Sequence, residues 1–109
     1  PEPARIILGD RFGRSAGGRM TDAVAAVVRD HGLPVAVNHP YAGGHILSAH
    51  ARPRAGIHAI QLEIDRSLYL DAALDQPGHG LATTAALVRA ILDRLTDFAL
   101  AAPHRIAAE

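Results

Sequence analysis

The chain contains no cysteine, no tryptophan and no lysine, and only two phenylalanines and two tyrosines. Without cysteine there is no disulfide, no thiol nucleophile and no thiolate-bound zinc. Without lysine, Schiff-base catalysis and a phosphate-loop lysine are excluded within this sequence. All eleven basic residues are arginine, and alanine is abundant, a combination that reads first as coding bias. Scarce aromatics leave Ala, Val, Leu and Ile to build the interior, and such small aliphatic residues suit helices packed on a sheet. The formal net charge is zero and the arginines are dispersed, so no nucleic-acid partner is expected. The longest apolar segment, Leu81 to Ala102, is broken by Arg89, Asp93, Arg94 and Asp97 and does not read as a membrane span. No basic leader followed by an apolar run opens the sequence, so a soluble cytoplasmic protein without a membrane partner is expected. The first residue is Pro1, as expected of a processed product or of part of something longer.

At 109 residues the length allows one core, and the whole chain is read as a single α/β domain. Arg5 to Leu8 is β-branched and ends at Gly9 and Asp10, a buried strand entering a glycine-containing loop over Asp10 to Gly18. A helix is expected from Thr21, as N-cap, to a left-handed stop at Gly32, with Val24, Val27, Val28 and His31 at helical spacing. Pro34 to Val37 predicts a second strand. Asn38 to Gly56 reads as a long loop, with a hairpin as one option, and loops of this length are often functional. Ile57 to Ile64 predicts a third strand, with His58, Ile60, Leu62 and Ile64 on one face and Ile57, Ala59, Gln61 and Glu63 on the other. Arg66 to Leu70 reads as a short helical turn or an irregular continuation, and Asp71 to Gly80 as a connection. The tail from Leu81 to about Ala102 is amphipathic, with Leu87, Val88, Ile91, Leu95 and Phe98 on one stripe, and should cover a sheet face. The expected fold is therefore a small mixed sheet of about three strands with flanking helices.

Glu63 is the only glutamate away from the chain ends. In an otherwise apolar strand it must find a partner, face a cavity or raise its pKa. Two readings stay open, an ion pair with Arg66 or Arg52 and a general base in a cleft. His39, His45 and His50 lie in the long loop and His58 beside it. Three of these imidazoles suffice in principle for zinc, but their spacing matches no compact motif, and His58 is read as a packed or helix-facing residue. Asn38, Tyr41, Gly43 and Gly44 offer neutral hydrogen-bonding groups beside backbone that a ligand can approach, or an ordinary turn. Arg11 is suited to clamp a carboxylate with two hydrogen bonds, or else pairs locally with Asp10.

Three runs in order, Leu8-Gly-Asp-Arg-Phe-Gly-Arg-Ser15, Asn38-His-Pro-Tyr-Ala-Gly-Gly44 and His58-Ala-Ile-Gln-Leu-Glu-Ile-Asp-Arg-Ser-Leu-Tyr-Leu-Asp71, resemble the C-terminal portion of the N-formylglutamate amidohydrolase family. The resemblance implies a fold similar to zinc carboxypeptidases and related deacylases, and a metal-dependent hydrolysis of N-formyl or other N-acyl amino acids. It further implies that Glu63 is the catalytic carboxylate, taking a proton from water activated by the metal and returning it to the leaving amine. Arg11, Asn38, Tyr41, His50 and Arg52 become candidate substrate contacts. Ala49 and Ala51 stand where the family pattern carries Arg and Gly. The zinc ligands are expected in segments preceding Arg5, so no metal ligand is assigned within this sequence. Alone, the chain is expected to be inactive and prone to self-association. The alternative reading is a non-catalytic module that binds a small anion or a partner.

Overall fold

The structure, a computed structural model, describes residues 3–101. Three strands form one mixed sheet in the order β2, β1, β3. The central strand β1 (Ile6–Gly9) pairs in parallel with β2 (Val35–Val37), Ile6 opposite Val35 and Leu8 opposite Val37. On its other side β1 pairs antiparallel with β3 (Gln61–Ile64), Ile6 opposite Ile64, Ile7 opposite Glu63 and Gly9 opposite Gln61. The mixed α/β fold expected from the pattern is therefore observed, with β2 and β3 shorter than the runs that predict them.

The third strand begins at Gln61 and not at Ile57, and the reason lies in its partner. β1 ends at Gly9, where the chain turns away, so the residues before Gln61 have no ladder to join. Ala59 bonds to the turn instead: its N–H donates to the Ser15 carbonyl at 2.8 Å, and its own carbonyl accepts from the Ser15 hydroxyl at 2.8 Å. Backbone polar groups leaving a sheet need such substitutes.

Helix α1 (Gly18–Asp30) connects the parallel pair. Its N-cap is Gly17, four residues before the expected Thr21, and His58 meets that end, with the Gly17 N–H donating to Nδ1 at 2.9 Å. Thr21 lies inside the first turn and is buried. Its hydroxyl is used elsewhere, as described below. Thr21, Val24, Ala25 and Val28 share the buried stripe that a helical period produces. The helix stops where the sequence predicts. Gly32 has φ +81° and donates to Arg29, and Leu33 donates back to Val28, the paired bonds that close a helix through a left-handed residue.

The expected long loop contains a short helix, α2 (His45–His50), anchored by buried Leu47, and a 3-10 turn over Pro53–Ala55. Arg52 and Ile57 exchange both backbone hydrogen bonds across that turn, at 2.7 and 3.0 Å, a minimal version of the hairpin that the sequence allows. A second 3-10 turn (Arg66–Leu68) follows β3, and α3 (Leu81–Ala101) closes the described chain. The expected end of that helix at Ala102 lies outside the described residues. No described helix is long and apolar enough to cross a membrane.

The core is one cluster of Ile6, Leu8, Val24, Ala25, Val28, Leu87 and Ile91, flanked by Ile60, Leu62, Ile64 and Leu95. Both long helices thus pack against the sheet face carrying Ile6 and Leu8, and they also pack against each other. The opposite face, with Ile7, Ala36, Gln61 and Glu63, is turned away from both α1 and α3. An apolar gap of about 150 Å³ lies between Leu62 on the sheet and Val88 and Leu95 on α3.

Leu87 is 1% exposed at the centre of this cluster, so Leu87→Ala should cost about 2–5 kcal/mol in urea unfolding. Leu92, on the same helix but 57% exposed, should change stability by less than about 0.5 kcal/mol as Leu92→Ala. Equal effects would mean that the helix is not held by this face.

Candidate functional site

In open sheets with parallel strands, ligands gather beyond the carboxyl ends of those strands. Here the segments leaving β1 and β2 meet at that edge, and one buried carboxylate joins them. Asp10, 4% exposed, follows β1, and Asn38 follows β2. Their contact is reciprocal. The Asp10 N–H donates to Asn38 Oδ1 at 2.9 Å, and Asn38 Nδ2 donates to Asp10 Oδ1 at 2.7 Å. The Gly13 N–H donates a second bond to Oδ1 at 3.0 Å, and the Thr21 hydroxyl donates to Oδ2 at 2.7 Å. Burial pushes the Asp10 carboxyl up, but the donors from Asn38, Thr21 and Gly13 outweigh it and hold it below the usual aspartate range.

The bonds from Asp10 shape the next residues. Arg11, Phe12 and Gly13 are successive left-handed residues, with φ of 53°, 57° and 85°, and Asn38 is left-handed at 62°. Only Gly is at ease there, Asn is tolerated, and Arg and Phe are strained by about 1–2 kcal/mol each. The turn is kept by Ser15 N–H to the Asp10 carbonyl and Arg14 N–H to the Arg11 carbonyl. It is fastened to the β2 exit by Arg11 N–H, which donates to Ala42 at 2.8 Å. Gly9 is required at this crossing, because a Cβ there would stand 2.7 Å from the Ala42 carbonyl carbon and oxygen.

The site residues expected from sequence separate into two groups. Arg11, Asn38 and Tyr41 come together where the two exits meet. The Arg11 guanidinium reaches the Ser48 hydroxyl on α2, not Asp10, so the local ion pair is replaced by a bond across the site. Asn38 spends its carbonyl and one amide hydrogen on Asp10 and is foremost a clamp. Tyr41 is 54% exposed and presents its ring to solvent. His50 and Arg52 lie farther along, exposed at the end of α2. Arg52 Nη1 donates to the Ala51 and Ala49 carbonyls at 2.6 and 3.3 Å, so its charge is turned onto its own segment.

Glu63 sits on the face of β3 turned away from α1 and α3 and is exposed, with Oε1 accepting from Gln61 Nε2 at 3.1 Å. The expected conflict of a carboxylate buried in an apolar strand does not arise, because that conflict assumed both faces were covered. Its partner is the neighbouring amide, in place of Arg66 or Arg52. Through the register, Gln61 lies beside Gly9 and Glu63 beside Ile7, so this pair shares a face with the start of the Arg11 turn.

His58 is helix-facing, as its position on the strand pattern suggests, since its Nδ1 accepts from Gly17. Among the described residues no three His, Cys, Asp or Glu side chains gather into a metal site, so His39, His45 and His50 do not form the stand-alone centre that their proximity in sequence allows. The sequence does not mark Asp10, Thr21, Ser48 or Gln61 as site residues. Asp10 and Asn38 are 28 positions apart, and only their shared place, each just beyond a strand, marked them as partners.

Because Asp10 is held below its ordinary pKa, its contribution to stability is complete above about pH 4 and is lost as the pH falls through the lower folded value. Asp10→Asn sets amide donors against donors, and should cost about 1–3 kcal/mol at neutral pH. It should also flatten the acid limb of stability, read by urea denaturation across pH 2–7 as about those bounds. A mutant with the wild-type acid slope would show that Asp10 is not the titrating tie.

The sequence matches the N-formylglutamate amidohydrolase family over residues 1–70. A solved structure of N-formylglutamate amidohydrolase from Ralstonia eutropha JMP134 superimposes with a TM-score of 0.81 at 30% identity, covering 90% of this chain and 35% of that one. No curated protein sequence matches. The chain spans about a third of the length of that solved relative. The match takes in the Asp10 clamp, the Arg11 turn and Glu63 alike, and with the shared architecture it shows that this chain belongs to the N-formylglutamate amidohydrolase family.

Proposed function

We propose that this chain is the C-terminal part of a cytoplasmic, metal-dependent amidohydrolase that cleaves the amide of N-formyl or other N-acyl amino acids, with Glu63 moving the proton. The observation that carries this reading is the placement of Glu63. It is an exposed carboxylate on the sheet face turned away from α1 and α3, held by Gln61, on the same side as Gly9 where the Arg11 turn begins.

In the reaction the water oxygen bonds to the acyl carbon, and Glu63 accepts the proton that water gives up. The carbon–nitrogen bond then breaks, and Glu63 returns that proton to the leaving nitrogen, which departs as the amine of a free amino acid. Formate is the second product when the acyl group is formyl. A carboxylate oxygen can take both roles because it accepts when ionised and donates when protonated. Arg11 supplies the positive charge for the substrate carboxylate, with the free amide hydrogen of Asn38 and the Tyr41 hydroxyl as neighbouring donors. His50 and Arg52 belong to this contact set only if α2 and the turn after it shift toward the ligand.

The family resemblance brings zinc to the reaction, and the described residues do not fit it, since no cluster of three ligating side chains exists among them. Zinc ligands would therefore come from chain outside these residues, in the same longer polypeptide. The sheet face turned away from α1 and α3 is the surface available for that additional chain, or for a second copy when it is lacking.

In a full-length hydrolase carrying this segment, Glu63→Gln should lower kcat by at least about a hundredfold. Because Glu63 is exposed, the melting temperature should stay within about 2 °C. The residues described here, expressed alone, should show no turnover. Wild-type turnover in Glu63→Gln would remove Glu63 from the catalytic role.

A further inference from the structure

We propose that Phe12 is a specificity-determining residue, whose ring packs on the carbon chain of the N-acyl amino acid that Arg11 holds by its carboxylate. The inference rests on the function proposed above and concerns how the same site measures its substrate.

Phe12 is placed against its own conformational preference. Its φ is 57°, in the middle of a left-handed turn, where a bulky side chain is strained. Strain of this kind is often offset by burial, yet the ring is 70% exposed and takes no part in the core. Asn or Gly would hold the turn with less strain. Nothing within the described fold therefore accounts for an aromatic ring at this position, and strained positions of this type gather at ligand sites.

The turn presents the ring rigidly. Asp10 bonds Gly13 through its side chain and Ser15 through its carbonyl, so the backbone on both sides of Phe12 is fixed. Beside it in sequence is Arg11, whose guanidinium spans to Ser48 and whose N–H meets Ala42. Each of the three segments that meet at Arg11 exposes a large apolar side chain: Phe12 in the turn, Tyr41 in the β2 exit and Ile46, 73% exposed, in α2. A positive charge held at the meeting point of segments that expose Phe12 and Tyr41 is complementary to a carboxylate on a short carbon chain. A longer chain gains contact with the ring, and a shorter one forfeits it, so Phe12 sets a preference for length. Differences of one methylene in an apolar contact are worth roughly tenfold or more in kcat/KM.

The test compares N-formylglutamate with N-formylaspartate in the full-length hydrolase. Phe12→Asn should raise KM for N-formylglutamate by about tenfold with kcat changed by less than about threefold, the pattern of a lost binding contact. The ratio of kcat/KM for the glutamate over the aspartate compound should fall by at least about threefold, and Phe12→Leu should recover most of it. The melting temperature of Phe12→Asn should be unchanged or higher, since Asn is better suited to the turn. An unchanged KM and ratio would overturn the inference alone, while the Glu63 reading stands. A melting temperature several degrees lower would also overturn it, by showing that the ring packs against protein. Absence of hydrolysis by the wild type would sink the proposed function and this inference together.

Discussion

The two strand exits that make the site are held in place by the carboxylate of Asp10. Removed from water, a carboxylate is stable only when its lone pairs are met, and here they are met by Asn38, Thr21 and Gly13. Those donors come from the β2 exit, the first turn of α1 and the loop between β1 and α1. The charge therefore does not simply sit in the fold. Its demand for donors draws three separate segments to one point and forces the left-handed turn in which Arg11 and Phe12 are displayed.

The sheet divides structural work from chemical work by its two faces. Ile6 and Leu8 turn toward α1 and α3 and form the interior, while Ile7, Gly9, Gln61 and Glu63 turn away from both helices. Alternation along a strand makes this division unavoidable: one residue of slip would put Glu63 into the core and Leu62 into solvent. The pairing of Gly9 with Gln61 thus serves the core and the candidate site together.

Much of this was legible in the sequence because it followed from periodicity. The three strands, the stop at Gly32, the stripe through Leu87 and Ile91, and the alternation that separates Glu63 from Leu62 all follow from side-chain spacing. The bounds that shifted did so for tertiary reasons. Thr21 has the chemistry of an N-cap, but Asp10 claims its hydroxyl and His58 serves the helix end. Residues 57–60 have the composition of a strand but lose their partner when β1 turns at Asp10. The family resemblance, carried by three short runs, was confirmed by the match over residues 1–70. Asp10 reads in the sequence only as a strand end and a neighbour of Arg11, because a hydrogen-bond tie between positions 28 apart leaves no local pattern.

The order of strands in the sheet also sets an order in time. β1, α1 and β2 are consecutive and form a local unit, whereas β3 must return from beyond α2 to pair with the far side of β1. Closing that long loop costs entropy before any pairing repays it, so the antiparallel half of the sheet is the later event. On a ribosome, β1 has one open edge until Ile64 has emerged, a stretch in which the nascent chain exposes a strand to other chains and to chaperones. The same return of β3 brings Glu63 to the sheet, so the catalytic candidate arrives with the strand that completes it.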